Sequence, residues 1–190
     1  PPRYEEEPLV YQGGSDVMLS GTEPIVAVDE AHGIDLEAEI AVITNDVPMG
    51  VSAEQALDHI ALVVQINDWS LRKLAGPEMK TGFGWIQAKP PCGMAPFAVT
   101  PDELGEQWRN FRPALHLNVQ WNGETFGNAY GEPMAYGFDE LLAHGARTRN
   151  LVAGTVIGFV VGAIVITTLG VDPVVMWTLL PVVAFGSTYV

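Results

Sequence analysis

Apolar and polar side chains alternate with period two from Ile34 to Ile40, which predicts a strand. Asp35, Glu37 and Glu39 fall on one face, and Leu36, Ala38 and Ile40 on the other. The acidic face continues as Ala41 and Ile43, so the strand is expected to enter a core with its carboxylates at the rim. A second apolar run, Leu62-Val63-Val64-Gln65-Ile66, ends in another acid, Asp68. Between the two runs Ser52 is placed to cap a helix over Ala53 to Ile60, with Glu54 in the first turn where the helix dipole favours it. Alternation from Leu115 to Gln120, the turn pair Asn122-Gly123 and the following Glu124-Thr125-Phe126 predict an outer hairpin. Phe138 to Ala146 reads as a short amphipathic helix with Leu141 and Leu142 turned inward.

The pattern changes near the C-terminus. From Leu151 to Val171 no residue is charged, and at about 1.5 Å per helical residue that run would cross a hydrocarbon core of about 30 Å. After Val171-Asp172-Pro173 a second apolar run reaches Val190, with Trp177 and Tyr189 near its ends. These features predict a membrane helical hairpin in 151–190, with Arg147 and Arg149 favouring a cytoplasmic side for the preceding chain. The alternative for the same residues is buried β-strands, because Val, Ile and Thr are abundant.

Composition narrows the partners. A chain of 190 residues can bury one domain core. Its opening on Pro1 without Met reads as a fragment or a processed chain, and the first residues lack the pattern of a signal peptide. The net charge of −14 argues against nucleic acid or an anionic membrane surface as partner of the polar part. The lone Cys92 offers neither a disulfide framework nor a zinc signature, which suits a reducing, cytoplasmic compartment. His32 and His116 have no acid at triad spacing, and no phosphate-binding glycine loop occurs.

If the two acid-ended runs lie side by side, Glu37, Glu39 and Asp68 converge with no Lys or Arg inside either run. Like charges at that range resist ionising together, and a divalent cation with oxygen ligands relieves the repulsion. The bland reading of the same pattern is a solvated acidic face on an antiparallel strand.

Several segments bear on this choice through a resemblance. They are Tyr-Gln-Gly-Gly-Ser-Asp at 11–16, Gly-Ile-Asp-Leu-Glu-Ala-Glu-Ile-Ala-Val-Ile at 33–43, Asn-Asp-Trp-Ser-Leu-Arg at 67–72, Gln-Ala-Lys-Pro at 87–90, Ala-Val-Thr-Pro-Asp-Glu-Leu-Gly at 98–105 and Leu-Leu-Ala-His-Gly-Ala-Arg-Thr-Arg-Asn-Leu at 141–151. In order and spacing they resemble the catalytic C-terminal domain of the fumarylacetoacetate hydrolase family over residues 8–158, with a departure after Gly158. The resemblance implies an α+β, mostly β fold, a mixed β-roll with short outer helices. Here it would be incomplete, as a domain over 1–158 with a hydrophobic tail at 159–190.

It also implies a metal held by Glu37, Glu39 and Asp68, either Mg2+ or Mn2+ with Ca2+ as an alternative, and a site lysine at Lys89. Tyr11, Gln12 and Arg72 become candidate substrate contacts, although Tyr11 could merely pack and Arg72 merely balance local acids. The implied enzyme is a metal-dependent hydrolase of carbon–carbon bonds in acylpyruvates or 1,3-dicarbonyl oxo acids, as in the catabolism of aromatic compounds, and homodimeric. Decarboxylation, hydration or tautomerisation of oxo acids at the same site is the alternative, as is an inactive, truncated, membrane-anchored binding domain at an inner membrane.

Overall fold

The computed structural model describes residues 6–14, 17–160 and 182–185. In chain order its strands are β1 (Val10–Gln12), β2 (Leu19–Ser20), β3 (Ile34–Asp35), β4 (Ala38–Thr44), β5 (Ile60–Asn67), β6 (Ser70–Leu71), β7 (Gly93–Val99), β8 (Trp108–Arg109), β9 (Arg112–Pro113), β10 (His116–Trp121), β11 (Glu124–Tyr130), β12 (Val156–Val160) and β13 (Val182–Phe185). The helices are α1 (Ala53–Ala56), α2 (Arg72–Thr81) and α3 (Phe138–Gly145).

The main sheet has seven strands in the order β1-β13-β12-β4-β5-β7-β2. It is mixed: β1 runs parallel to β13 and β2 parallel to β7, while the inner neighbours are antiparallel. The alternation along β4 sorts its side chains as expected. Val42 joins Ile157, Phe159, Leu117 and α3 residues Phe138, Leu141 and Leu142 in one core, whereas Ala41 joins Val64, Ile66, Cys92 and Val156 in a second. Glu39 shares the face of Ala41 and is fully buried.

The predicted hairpin forms as β10 and β11, closed by Asn122 and Gly123 in the left-handed region at φ 51° and 82°. The helix expected over Ala53 to Ile60 is shorter. A Ser52/Gln55 capping box starts α1, a 3-10 turn over Leu57–His59 follows, and Ile60 already opens β5. The helix α2 is not among the elements read from the pattern, and a Gly-Pro pair ordinarily interrupts a helix. Pro77 nevertheless lies inside it.

The helical hairpin expected in 151–190 is corrected where residues are described. Val156–Val160 form β12, wedged between β4 and β13, and Val182–Phe185 form β13. A strand buried on both faces reads as a continuous apolar run, which hydropathy alone does not separate from a helix. Phe159 and Val160 continue the strand, so the chain does not turn away from the sheet at Gly158. The parts of that expectation in 161–181 and 186–190 lie outside the described residues. Among the described residues no helix is long and apolar enough to cross a membrane.

Candidate metal centre

Two antiparallel pairings bring the acids together. On one side of the site β3 pairs with β6, setting Asp35 opposite Ser70; on the other β4 pairs with β5, setting Ala38 opposite Asn67. Glu37 and Asp68 sit at the gap between these ladders, where the Asp68 N–H donates to the Glu37 carbonyl at 2.9 Å. Glu37, Glu39 and Asp68 each present a carboxylate oxygen to a common point, with those oxygens all within 4.8 Å of one another. A solvated acidic face is therefore excluded: Glu37, Glu39 and Asp68 are all buried.

Gly158 on β12 makes room for this. A Cβ built on it would collide with Glu39 Oε2 and lie 2.7 Å from Ile66 Cδ1.

Two cations reach the cluster from neighbouring elements. The Lys89 ammonium donates to Glu37 Oε2 and Asp68 Oδ2, both at 2.8 Å, and to Ser70 Oγ at 2.7 Å. Arg72, the first residue of α2, donates from Nε to Asp35 Oδ2 at 2.7 Å and from Nη1 to Glu37 Oε1 at 2.6 Å. The Tyr11 hydroxyl donates to Asp68 Oδ2, and its ring lies under the Lys89 ammonium at 5.3 Å and edge-on to Trp85 at 5.3 Å.

The electrostatics differ sharply among the three acids. Burial pushes Glu37 up, but Lys89 and then Arg72 outweigh it and hold the carboxyl below its usual range. Burial pushes Asp68 up, with Lys89 offsetting part and Glu37 adding to the rise. Among the described residues no cation is in contact with Glu39. Burial, then Asp68 and Glu37, raise it well above the ordinary carboxylate range. Both oxygens of Glu39, and Asp68 Oδ1, are buried without a hydrogen-bond partner. Burial also opposes the charge of Lys89, yet Asp68 and Glu37 hold its pKa above the usual lysine value.

A divalent cation fits this donor set. Oxygen ligands suit Mg2+, Mn2+ and Ca2+. The orphaned oxygens are those a cation would satisfy, and four carboxylates against two cationic side chains leave a formal deficit of two charges.

Of the residues expected from the sequence, Glu37, Glu39, Asp68, Lys89, Tyr11 and Arg72 come together. Gln12 does not, because it neighbours Tyr11 on a strand and projects from the opposite, exposed face. Arg72 is tied to two carboxylates, consistent with the charge-balancing alternative. Asp35 is one of those partners. Ser70 and Glu78 carry no signal by type or spacing that would single them out. Cys92 is buried and donates to the Asn67 carbonyl at 3.2 Å, and burial pushes its thiol up, so it is structural.

The sequence model of the fumarylacetoacetate (FAA) hydrolase C-terminal family matches residues 1–164. The chain belongs to that family. The match runs past Gly158 to the end of β12 and beyond, in keeping with that strand's place in the sheet. Among relatives, the 2,4-didehydro-3-deoxy-L-rhamnonate hydrolase of Sphingomonas sp. (strain SKA58) is 28% identical over 152 residues, covering 78% of this chain and 50% of the relative. The mitochondrial oxaloacetate tautomerase fahd2 of Xenopus laevis is 23% identical over 159 residues, covering 80% of this chain and 46% of the relative. The chain thus spans about half the length of the curated relatives it matches. A solved fumarylpyruvate hydrolase from Pseudomonas aeruginosa, in complex with Mn2+ and pyruvate, shares the fold with a TM-score of 0.56 at 15% identity, over 95% of this chain and 74% of that one.

Proposed function

We propose that the chain carries the metal-binding and proton-handling centre of an oxo-acid hydrolase or tautomerase. Glu37, Glu39 and Asp68 hold a divalent cation, Mg2+ or Mn2+, and Lys89 is the acid–base group. The observation that carries this reading is the set of orphaned carboxylate oxygens on Glu39 and Asp68, buried beside a buried ammonium. The cation, when bound, supplies Lewis acidity for the negative charge that develops on the oxo oxygen of an acylpyruvate or related oxo acid. The likeness to an oxaloacetate tautomerase supports the oxo-acid substrate class, and the likeness to a hydrolase keeps both reactions in view.

The side chains divide the remaining work. Tyr11 fixes Asp68 by donating to Oδ2, which leaves Oδ1 free to accept a ligand. Arg72 holds Glu37 through Oε1 while Lys89 holds it through Oε2, so the carboxylate cannot turn. Lys89 stays protonated at neutral pH against burial, because Asp68 and Glu37 favour the charge. It therefore starts as a proton donor and as positive charge beside the reacting oxygen.

Tautomerisation needs a proton taken from one atom and returned at another. Hydrolysis of a carbon–carbon bond needs, in addition, a base that activates water. Among the described residues none of His32, His59, His116 and His144 hydrogen-bonds to the cluster, which favours tautomerisation as the step these residues supply by themselves.

The test is turnover of oxaloacetate, followed as loss of enol absorbance, and of an acylpyruvate, followed as bond cleavage, with Mn2+ or Mg2+ present. Activity should vanish on chelation and in Glu37→Ala and Asp68→Ala. Calorimetry that finds no Mn2+ or Mg2+ binding to the wild-type chain would overturn the reading.

A further inference from the structure

We infer that Glu78 is a positioning residue for Lys89, acting through the backbone of the loop that delivers the ammonium. This rests on the role given to Lys89 under Proposed function. Glu78 lies near the end of α2, and its carboxylate accepts from three successive amides: Ile86 at 3.2 Å, Gln87 at 2.8 Å and Ala88 at 2.9 Å. Consecutive N–H groups aimed at one point form an anion-binding concavity, and here the protein's own side chain fills it. Hydrogen bonds to a carboxylate are shorter and stronger than those between neutral groups.

The loop needs such a hold. It leaves α2 through Gly82 and Gly84, both left-handed at φ 74° and 94°, and residues 82–88 belong to no strand or helix. Phe83 and Ile86 are exposed, so the apolar core does not anchor its outer half. Trp85 packs edge-on against Tyr11 at 5.3 Å, and the Ala88 carbonyl accepts from the Leu71 N–H at 2.7 Å and ties the loop to β6. Lys89 follows at once, its side chain only 8% exposed, with Pro90 and Pro91 stiffening the chain beyond it. Glu78 thus grips one side of Ala88 and β6 the other, and the residue between this clamp and the two prolines is the lysine. Glu78 makes no hydrogen bond to Glu37, Asp68 or the ammonium, so its influence passes through the loop.

The test compares the full wild-type chain with Glu78→Ala and Glu78→Gln. Amide exchange at 86–88 is read by mass spectrometry, as is acylation of Lys89 by an N-hydroxysuccinimide ester, with exposed Lys73 and Lys80 as internal references. In Glu78→Ala, exchange at 86–88 and labelling of Lys89 should each rise about tenfold or more, the loss of one charge-assisted hydrogen bond or more, with Lys73 and Lys80 unchanged. With oxo acid as substrate, kcat should fall while KM and Mn2+ affinity stay within about twofold, the pattern of a lost transition-state contribution. Glu78→Gln keeps one acceptor oxygen and should recover part of each effect.

Unchanged exchange at 86–88 and unchanged Lys89 labelling in Glu78→Ala would overturn the inference. If that variant unfolds and all lysines label faster, Glu78→Gln at wild-type melting temperature decides in the same way. Should the wild-type chain turn over no oxo acid, the functional reading fails by itself, and exchange and labelling still show whether Glu78 places Lys89.

Discussion

Replacing Glu39 by Gln should stabilise the metal-free protein at neutral pH and deprive it of any gain from metal. Glu39 is fully buried with both oxygens unpartnered, and burial with the charges of Asp68 and Glu37 raises its pKa well above the ordinary carboxylate range. In the unfolded chain that carboxyl titrates near its ordinary value of about 4.3. Between that value and the raised native one, the native state keeps a proton the unfolded state has lost. The stabilising contribution is therefore complete below the unfolded value and is lost as pH rises through the window, at about 1.4 kcal/mol per pH unit for one proton.

The amide of Gln has the same shape and no such proton, so the slope disappears. The variant should match wild type near the unfolded value and exceed it by a growing margin as pH rises through the window, with a slope of about 1.4 kcal/mol per pH unit. At about 2–4 °C per kcal/mol for a chain of this size, each pH unit inside the window adds about 3–6 °C to the difference in melting temperature. Thermal and urea denaturation in chelator, followed by circular dichroism across pH 4.5–7.5, measures it. Adding Mn2+ at about a hundred times its Kd should return about 2.7 kcal/mol to wild type and nothing to the variant. Binding should also release a proton, seen by calorimetry in buffers of different ionisation enthalpy. A stability difference that is flat across pH, or a variant less stable than wild type at pH 7 in chelator, would refute the reasoning.

Lys89→Met should lower kcat about 10²- to 10⁴-fold in the oxo-acid assay, the range for loss of an acid–base group. In chelator it should also lose about 3–5 kcal/mol of stability, because Glu37 and Asp68 are left as buried charges without their shared partner, and Mn2+ should restore part of that loss. Gly158→Ala places a methyl group against Glu39 Oε2 and Ile66, and should lose about 1–3 kcal/mol of stability in urea denaturation. It should weaken Mn2+ binding in calorimetry as well, since the carboxylate must turn away from Asp68; unchanged affinity would show that Glu39 does not bind the ion.

The parts of the fold visible in the sequence are those whose side chains alternate between unlike surroundings. β4 shows two faces because Val42 meets α3 while Ala41 meets Val64 and Cys92, and its acidic residues stand out against that background. The β10–β11 turn shows because Asn122 and Gly123 are suited to left-handed backbone. β12 does not show, since it lies inside the sheet between β4 and β13 and its apolar run matches a membrane helix in length. Glu37, Glu39 and Asp68 were legible because a resemblance supplied the pairing that local pattern lacks. Gln12 and Tyr11 are adjacent, and period two puts them on opposite faces of β1, with Tyr11 turned to the acids and Gln12 exposed. Glu78 has no local signature: its partners are backbone amides eight to ten residues away, in a loop that periodicity does not describe.

The charge balance of the centre explains why its elements depend on one another. An unpartnered carboxylate in the middle of a sheet is destabilising, and Glu39 sits there because Gly158 leaves space for it and not because any cation compensates it. The two compensating cations come from α2 and from the loop after it, and both bind Glu37 rather than Glu39. One acid is thereby kept ionised and rigid, and another is kept unsatisfied at the same point in space. A site built for structure alone would pair each buried charge, since breaking such pairs is costly. Leaving Glu39 without a compensating cation, beside an Asp68 oxygen without a partner, would couple folding to the binding of a divalent cation, and it places Lys89 where any change in the charge of the site is felt most directly.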